Sequence, residues 1–244
     1  MESRVWDPFL TEQDRRTLKE RPHLVRGFGQ KPALVLIDLY RWVFGDFPQP
    51  VLEALDRWPG SCGLAAWEAI PYIQRLLAGA RNAQIPVIHV TGLDSSGVEG
   101  WSEQGTDLAV PAADPDYMDR LGHRFDIIPE VAPISGEAVL RKTSPSAFWG
   151  TPLVGHLNAL GVDTLIVCGE STSGCVRATV VDGRTYRYNV IVAEECVFDR
   201  HQAPHAINLF DMHQKYADVL ALDEILLWMA SCGNAPSELE HLRG

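Results

Sequence analysis

The chain contains 244 residues, of which 46% are hydrophobic and 22% are charged, and its formal net charge is −11 at pH 7. It is long enough to bury a substantial core, and no window reaches the ~18 uninterrupted apolar residues that a membrane span requires. The negative charge repels nucleic acid and anionic membranes, and no basic stripe overrides it. The expected partner is therefore a small-molecule substrate.

The first 30 residues predict an extension ahead of one main domain at residues 31–230, which a tail at residues 231–244 follows. Residues 11–20 predict a short charged helix, which is either a subunit-contact arm or a solvated appendage. The N-terminus lacks the apolar core of a signal peptide. Five cysteines without a C-x-x-C motif argue against a disulfide framework and a zinc finger. We therefore expect a cytoplasmic protein with reduced thiols.

Short apolar runs alternate with helical patterns through the main domain. Strands are predicted at residues 33–39, 86–90, 138–141, 164–168, 190–193 and 217–222, and helices at residues 67–82, 152–160, 175–186, 204–215 and 223–230. Continuous apolar runs are typical of a parallel sheet that is covered on both faces. The alternation therefore predicts a three-layer α/β/α domain with a mostly parallel sheet of about six strands.

Two connections, at residues 40–65 and 91–136, are longer than ordinary loops and are expected to cover a site. They carry the aromatic residues Trp42, Phe44 and Trp101. These side chains either line a pocket or form a satellite core beneath the loops.

Cys175 lies where a predicted strand passes through small residues into a predicted helix. Nucleophiles are often placed at such strand-to-helix turns. The partial positive charge of a helix N-terminus is expected to lower the thiol pKa and favour the reactive thiolate. The alternative is a buried, inert cysteine.

Asp38 closes the apolar run of the first predicted strand, and Lys142 and Cys175 follow later predicted strands. The carboxyl ends of parallel strands meet at one edge of a sheet, where ligands bind. A cysteine hydrolase needs a base for the thiol proton and a cation that holds the charges, and these two residues supply both. Taken singly, either charge could be a strand-end residue that meets solvent.

At these residues the chain resembles the isochorismatase-like cysteine hydrolases, most closely the N-carbamoylsarcosine amidase and maleamate amidase branch. The resemblance is carried by Leu36-Ile37-Asp38, by Lys142 with Ser146-Ala147-Phe148-Trp149-Gly150-Thr151, and by Thr172-Ser173-Gly174-Cys175-Val176-Arg177-Ala178-Thr179. It implies a Rossmann-like α/β/α fold and an Asp-Lys-Cys triad of Asp38, Lys142 and Cys175. It also implies a homo-oligomer, a tetramer or dimer, with sites near subunit contacts.

The resemblance further implies that Asp38 takes the Cys175 proton and returns it to the leaving amine. Backbone N–H groups of Ser171 and Cys175 form the oxyanion hole, with a cis peptide between Glu170 and Ser171. A hydroxyl near the nucleophile is supplied by Ser171 or Thr172. The pocket is expected to include Trp42 and Trp149.

Two further residues are assigned to substrate binding. Arg200 lies 25 residues after Cys175, and in the amidase branch an arginine at this offset grips the substrate carboxylate. The alternative is an arginine paired with Asp199 or Glu195 at the surface. Glu170 departs from the family pattern, which has an apolar residue here. It either opposes thiolate formation or recognises an amino group of the substrate.

No cofactor and no catalytic metal are expected. The Asp-x-His pattern of the nicotinamidase branch is missing from residues 40–50, and His201, His205 and His213 lack convincing ligand spacing. A nucleotide-binding domain is disfavoured because no G-x-G-x-x-G or Walker loop follows the first strand.

We therefore expect an amidohydrolase that cleaves a linear non-peptide C–N bond in a small carbamoyl or amide compound. Alternatives are another small-molecule hydrolase of isochorismatase, ester, lactam, ureide or biuret type, and a redox-sensing thiol protein. A serine hydrolase built on Ser171, Asp199 and His205 is the nearest rival, although the elbow lacks its final glycine.

Overall fold

The computed structural model describes residues 4–93 and 115–232 of the chain. The helices in these ranges are α1 (Glu12–Glu20), α2 (Arg41–Phe44), α3 (Val51–Leu55), α4 (Leu64–Asn82), α5 (Pro115–Gly122), α6 (Leu153–Leu160), α7 (Arg177–Thr185), α8 (Gln202–Lys215) and α9 (Leu222–Cys232). The strands are β1 (Pro32–Ile37), β2 (Val87–Gly92), β3 (Ala138–Lys142), β4 (Thr164–Glu170), β5 (Asn189–Phe198) and β6 (Asp218–Leu220).

The six strands form one sheet in the order β3-β2-β1-β4-β5-β6, and every neighbouring pair is parallel. The predicted parallel sheet of about six strands is confirmed. The strand order reverses between β1 and β4. These strands lie side by side although residues 38–163 separate them in the chain. In parallel α/β sheets such a reversal opens a crevice at the carboxyl ends of the two strands.

Strand β1 shows how the sheet is covered on both faces. Leu34 and Leu36 pack into one hydrophobic cluster with α4 and α9, whereas Val35 and Ile37 pack into a second cluster with α6, α7 and α8. Successive side chains of a strand point to opposite faces, so an uninterrupted apolar run supplies both cores. The three-layer α/β/α prediction is confirmed.

Strand β5 is longer than the sequence predicts. It continues past the bulge that shifts its register with β4, between Val167 and Gly169, and reaches Phe198. Glu194 and Glu195 interrupt the apolar run and hide the second half of the strand in the sequence. Their carboxylates have structural partners, because Glu194 pairs with Arg4 and Glu195 accepts the backbone N–H of Leu222.

The N-terminal segment contacts the domain on either side of α1. The helix itself buries no residue, and its N-terminus carries a capping box between Thr11 and Asp14. Trp6 is 5% exposed and belongs to the second hydrophobic cluster. After the helix, His23 pairs with the fully buried Asp218 of β6 at 2.6 Å. Within residues 4–93 and 115–232, no helix is both long enough and apolar enough to cross a membrane.

Candidate active site

The site lies where the sheet reverses. Ile37 of β1 is in register with Gly169 of β4, so the residues that follow them, Asp38 and Glu170, are neighbours at the carboxyl edge. Gly169 has a φ of 113°, and a Cβ there would lie 2.0 Å from the Ile37 carbonyl oxygen. Only glycine allows the two strand ends to approach so closely.

Asp38, Lys142 and Cys175 meet at this edge. The Lys142 ammonium lies 2.7 Å from Asp38 Oδ2 and 3.3 Å from Cys175 Sγ. Asp38 is fully buried, Lys142 is 7% exposed, and Cys175 is partly exposed. The residue after β1, the last residue of β3 and a residue of the segment after β4 therefore form one contact group, in which the cation contacts both the carboxylate and the thiol.

Burial and mutual contact set the charges of this group. Burial raises the pKa of Asp38, although Lys142 opposes the rise. Burial acts to lower the pKa of Lys142, but Asp38 and Cys175 outweigh it and the net direction is upward. The buried lysine therefore keeps its proton and remains a cation.

The thiol differs from its sequence-based expectation. Burial raises the pKa of Cys175, Asp38 adds to the rise, and Lys142 opposes it. The prediction of a thiol pKa lowered by a helix N-terminus is therefore wrong. The desolvation of the charged form outweighs the turn and the neighbouring cation. The thiol keeps its proton in the resting site and needs a base to become a nucleophile.

The nucleophile lies in a wide turn, Thr172–Val176, ahead of α7. The Ser171 carbonyl closes this turn, because it accepts the backbone N–H groups of Gly174 at 3.0 Å and Val176 at 3.1 Å. Gly174 has φ −112° and ψ −105°, which is outside helical geometry. The peptide bond between Glu170 and Ser171 is cis, as the family resemblance implies.

Two side chains that follow β5 in the chain form hydrogen bonds with this turn. Asp199 Oδ2 accepts the backbone N–H of Ser173 at 2.9 Å and its hydroxyl at 2.7 Å. His205 Nδ1 shares a hydrogen bond of 2.8 Å with Thr172 Oγ1. We call Asp199 and His205 the turn clamp. The sequence suggests both residues as members of a serine triad, Asp199 as a partner of Arg200, and His205 as a histidine without metal-ligand spacing. None of these interpretations includes the contact with the turn.

The turn clamp changes two sequence-based interpretations. Thr172 is fully buried and its hydroxyl is held by His205, so its assignment to substrate binding is not supported by its position. Asp199 and His205 contact Ser173 and Thr172 and make no contact with Ser171 among the hydrogen bonds of residues 4–93 and 115–232. The serine-triad arrangement is therefore not assembled in this part of the chain.

Arg200 and Glu170 contact consecutive residues of one loop. Arg200 Nε donates to the Ser61 carbonyl at 2.9 Å, and the Cys62 thiol lies 3.6 Å from Glu170 Oε1. Within the described ranges, no ion pair joins Arg200 to Asp199 or Glu195. The alternative prediction, an Arg200 paired with one of these carboxylates at the surface, is therefore wrong. Burial raises the pKa of Glu170 to about 8, and the nearby Asp38 adds to the rise.

The aromatic candidates fall into different environments. Trp42 is half-buried and packs edge-on against Trp58, and Phe44 is 1% exposed in the core. Both therefore belong to the packing beneath the first long loop. Trp149 is 62% exposed at the surface. Trp101 lies outside the described residues.

The described ranges contain no group of three or more His, Cys, Asp or Glu side chains arranged to hold a metal ion. The His213 ring makes tilted contacts with Trp6 and His23, and it accepts the backbone N–H of Val219. A cavity of about 540 Å³ lies beyond the turn clamp, between α4 and α8. It shares Asp199 and His205 with the clamp, and no member of the Asp-Lys-Cys group lines it.

Comparison with known proteins shows which family and which relatives this chain is similar to. The family model for the isochorismatase domain matches residues 32–224. The maleamate amidohydrolase of Pseudomonas putida is 36% identical over 219 residues, which cover 89% of this chain and 91% of that protein. The N-carbamoylsarcosine amidase of an Arthrobacter species is 32% identical, covering 83% of this chain and 73% of the relative.

A crystal structure of an isochorismatase family protein from Desulfovibrio vulgaris has the same fold. It superposes with a TM-score of 0.66 at 28% identity, covering 83% of this chain and all of the other.

Proposed function

Since this chain belongs to the isochorismatase family and, like the maleamate amidohydrolase and the N-carbamoylsarcosine amidase that it matches, is an amidohydrolase of non-peptide carbon–nitrogen bonds, we propose that it cleaves a small carbamoyl or amide compound through an acyl-enzyme on Cys175. The observation that carries the proposal is the contact of one buried ammonium, that of Lys142, with both Asp38 and Cys175. A buried cation in contact with an acid and a thiol suits a reaction that moves a proton between them.

In the first half of the proposed reaction Asp38 accepts the thiol proton, and Lys142 stabilises the charges on both partners. The thiolate attacks the amide carbon and forms a C–S bond. The amides of Ser171 and Cys175 would hold the resulting oxyanion. When the C–N bond breaks, the nitrogen takes the proton from Asp38 and leaves as ammonia.

In the second half, Asp38 takes a proton from water and the hydroxide attacks the thioester carbon. The C–S bond breaks, the acid product leaves, and the sulfur recovers its proton from Asp38. No step requires an oxidant, a reductant or a bound cofactor. Arg200 supports a substrate with a carboxylate, since its planar guanidinium lies beside the loop that faces Glu170. We also propose that the active form is a homo-oligomer.

Ammonia release tests the proposal. Wild-type protein is assayed with maleamate, N-carbamoyl amino acids, ureides and biuret, beside the variants Cys175→Ala and Ser171→Ala. We expect turnover of at least one carboxylate-bearing amide, loss of more than about 10³-fold in Cys175→Ala, and retained activity in Ser171→Ala, which keeps its backbone N–H.

Loss in Ser171→Ala alone would instead favour a serine nucleophile. Turnover of none of these compounds, with Cys175 reversibly oxidised by peroxide, would favour the redox-sensing alternative.

A further inference from the structure

Glu170 is a carboxyl group beside the triad that the proposed chemistry does not use. It is the last residue of β4, next to Asp38 across the strand reversal, and it is half-buried rather than enclosed. Among the hydrogen bonds of residues 4–93 and 115–232, its side chain has one partner, the Cys62 thiol at 3.6 Å. A thiol is a weak donor, and a carboxyl group keeps further acceptor lone pairs whether it is protonated or ionised. Part of its acceptor capacity therefore remains available to a ligand, because the side chain is not fully buried.

The surroundings of Glu170 raise its pKa above that of an exposed glutamate. Burial and the carboxylates of Asp38 and Asp199 raise its pKa to about 8, and Lys142 opposes the rise. A group held in this way gains from any ligand that brings a hydrogen-bond donor or a positive charge. Lys142 does not supply this partner, because its ammonium contacts Asp38 and Cys175.

Arg200 lies on the same wall of the site. Its Nε is held by the carbonyl of Ser61, and the next residue, Cys62, contacts Glu170. Both Arg200 and Glu170 act on the Cys62 thiol electrostatically, in opposite directions. A guanidinium and a carboxyl group that both lie near one cysteine suit a ligand that carries a carboxylate and an N–H group on neighbouring atoms.

We propose that Glu170 determines specificity by accepting a hydrogen bond from a nitrogen of the substrate, close to the carboxylate that Arg200 binds. This inference rests on the proposed amidohydrolase function and narrows it to amides that carry a carboxylate and an N–H-bearing nitrogen beside it. Such a nitrogen is either a ureido N–H or an ammonium group. A chain with an apolar residue at position 170 lacks this acceptor, so it should not prefer substrates with an N–H at this nitrogen.

Two pairs of compounds isolate the nitrogen. N-carbamoylglycine has an internal N–H that N-carbamoylsarcosine replaces with N-methyl, and asparagine carries an ammonium that succinamate lacks. Dissociation constants are measured by calorimetry in Cys175→Ala protein, which binds without turnover, with Glu170 unchanged, changed to Ala, or changed to Gln. kcat/KM for the same four compounds is measured in parallel with Cys175 intact. Glu53→Ala, which removes an exposed glutamate of α3, is the control.

We expect the N–H-bearing member of at least one pair to bind about 10-fold tighter or more, as a hydrogen bond to a charged or buried partner generally allows. Glu170→Ala should bring the two members within about 3-fold, and Glu53→Ala should leave the preference intact. If the substrate nitrogen is a ureido N–H, Glu170→Gln keeps the preference through its amide oxygen. If it is an ammonium, Glu170→Gln loses it.

Equal binding within both pairs, a preference that survives Glu170→Ala, or absence of binding by all four compounds would overturn the inference. Failure of the proposed function gives a different pattern: no compound is turned over by the wild type, although the binding preference depends on Glu170. Circular dichroism of each variant confirms that it is folded. If Glu170→Ala does not fold, Glu170→Leu replaces it, because leucine keeps most of the side-chain volume and offers no acceptor, and the same outcomes apply.

Discussion

Removing the cation from the buried Asp38–Lys142 pair is expected to destabilise the fold severely. Asp38 is fully buried, the Lys142 side chain is 6% exposed, and the charged atoms are 2.7 Å apart. Lys142→Met keeps the length of the side chain and deletes its charge. Removing one partner of a buried pair leaves an uncompensated charge and costs ~3–5 kcal/mol. That is a large fraction of the ~5–15 kcal/mol by which domains are stable.

The loss should depend on pH in a defined direction. Without Lys142, burial raises the folded-state pKa of Asp38 further above its unfolded value of ~3.9. The folded state then binds more protons than the unfolded state, so stability falls as pH rises above the unfolded pKa. The fall is ~1.4 kcal/mol per pH unit until the folded pKa is reached. Lys142→Met is therefore expected to be closer to wild type at pH 5 than at pH 8.

Urea denaturation at both pH values measures these free energies of unfolding. The double variant Asp38→Asn/Lys142→Met removes both charges and should recover about 2 kcal/mol or more of the loss. Lys215→Met is the matched control, because Lys215 is exposed and pairs with Asp211 at the surface. Equal losses in the two lysine variants, or a double variant no more stable than Lys142→Met, would refute the reasoning.

Three further predictions concern activity. Asp199→Ala removes the acceptor of the Ser173 amide and hydroxyl, so the nucleophile turn should be misplaced and kcat should fall by about 10- to 100-fold. Asp199→Asn keeps one acceptor oxygen and should lower kcat less. Identical losses of kcat in the two variants would contradict the role of the turn clamp. Arg200→Ala should lower kcat/KM by the equivalent of ~2–4 kcal/mol for carboxylate-bearing amides and by far less for neutral analogues. Equal losses of kcat/KM for both kinds of substrate would mean that Arg200 has a structural role. Activity should survive prolonged EDTA treatment, and loss that zinc or manganese restores would refute the metal-free mechanism.

The fold and the approach of Asp38, Lys142 and Cys175 at one sheet edge were predictable because their signals are local. A short apolar run bounded by polar residues forms a buried parallel strand, and the residue after it falls at the carboxyl edge. Asp38 and Lys142 lie at the ends of two such runs, and Cys175 lies in the turn that follows a third, so the sequence alone places them at one edge. Their contact then depends on strand order, which brings β1 beside β4.

The remaining features of the site depend on tertiary structure. The contacts of Asp199 with Ser173 and of His205 with Thr172 join segments 26 and 33 residues apart, and no local pattern announces them. The predicted direction of the Cys175 pKa shift was wrong because burial dominates the shift, and burial is not visible in the sequence of the turn. The partners of Arg200 and Glu170 come from the loop before α4, whose path the sequence does not define.

The covalent intermediate on Cys175 is the central claim, and rapid-quench mass spectrometry tests it most directly. Protein is mixed with a substrate that the ammonia assay identifies, quenched in acid within milliseconds, digested, and mapped. We predict an adduct with the mass of the acyl group on the peptide that contains Cys175, which forms before steady turnover and disappears as the substrate is consumed. Steady turnover without any adduct, together with undiminished ammonia release by Cys175→Ala, would contradict the account.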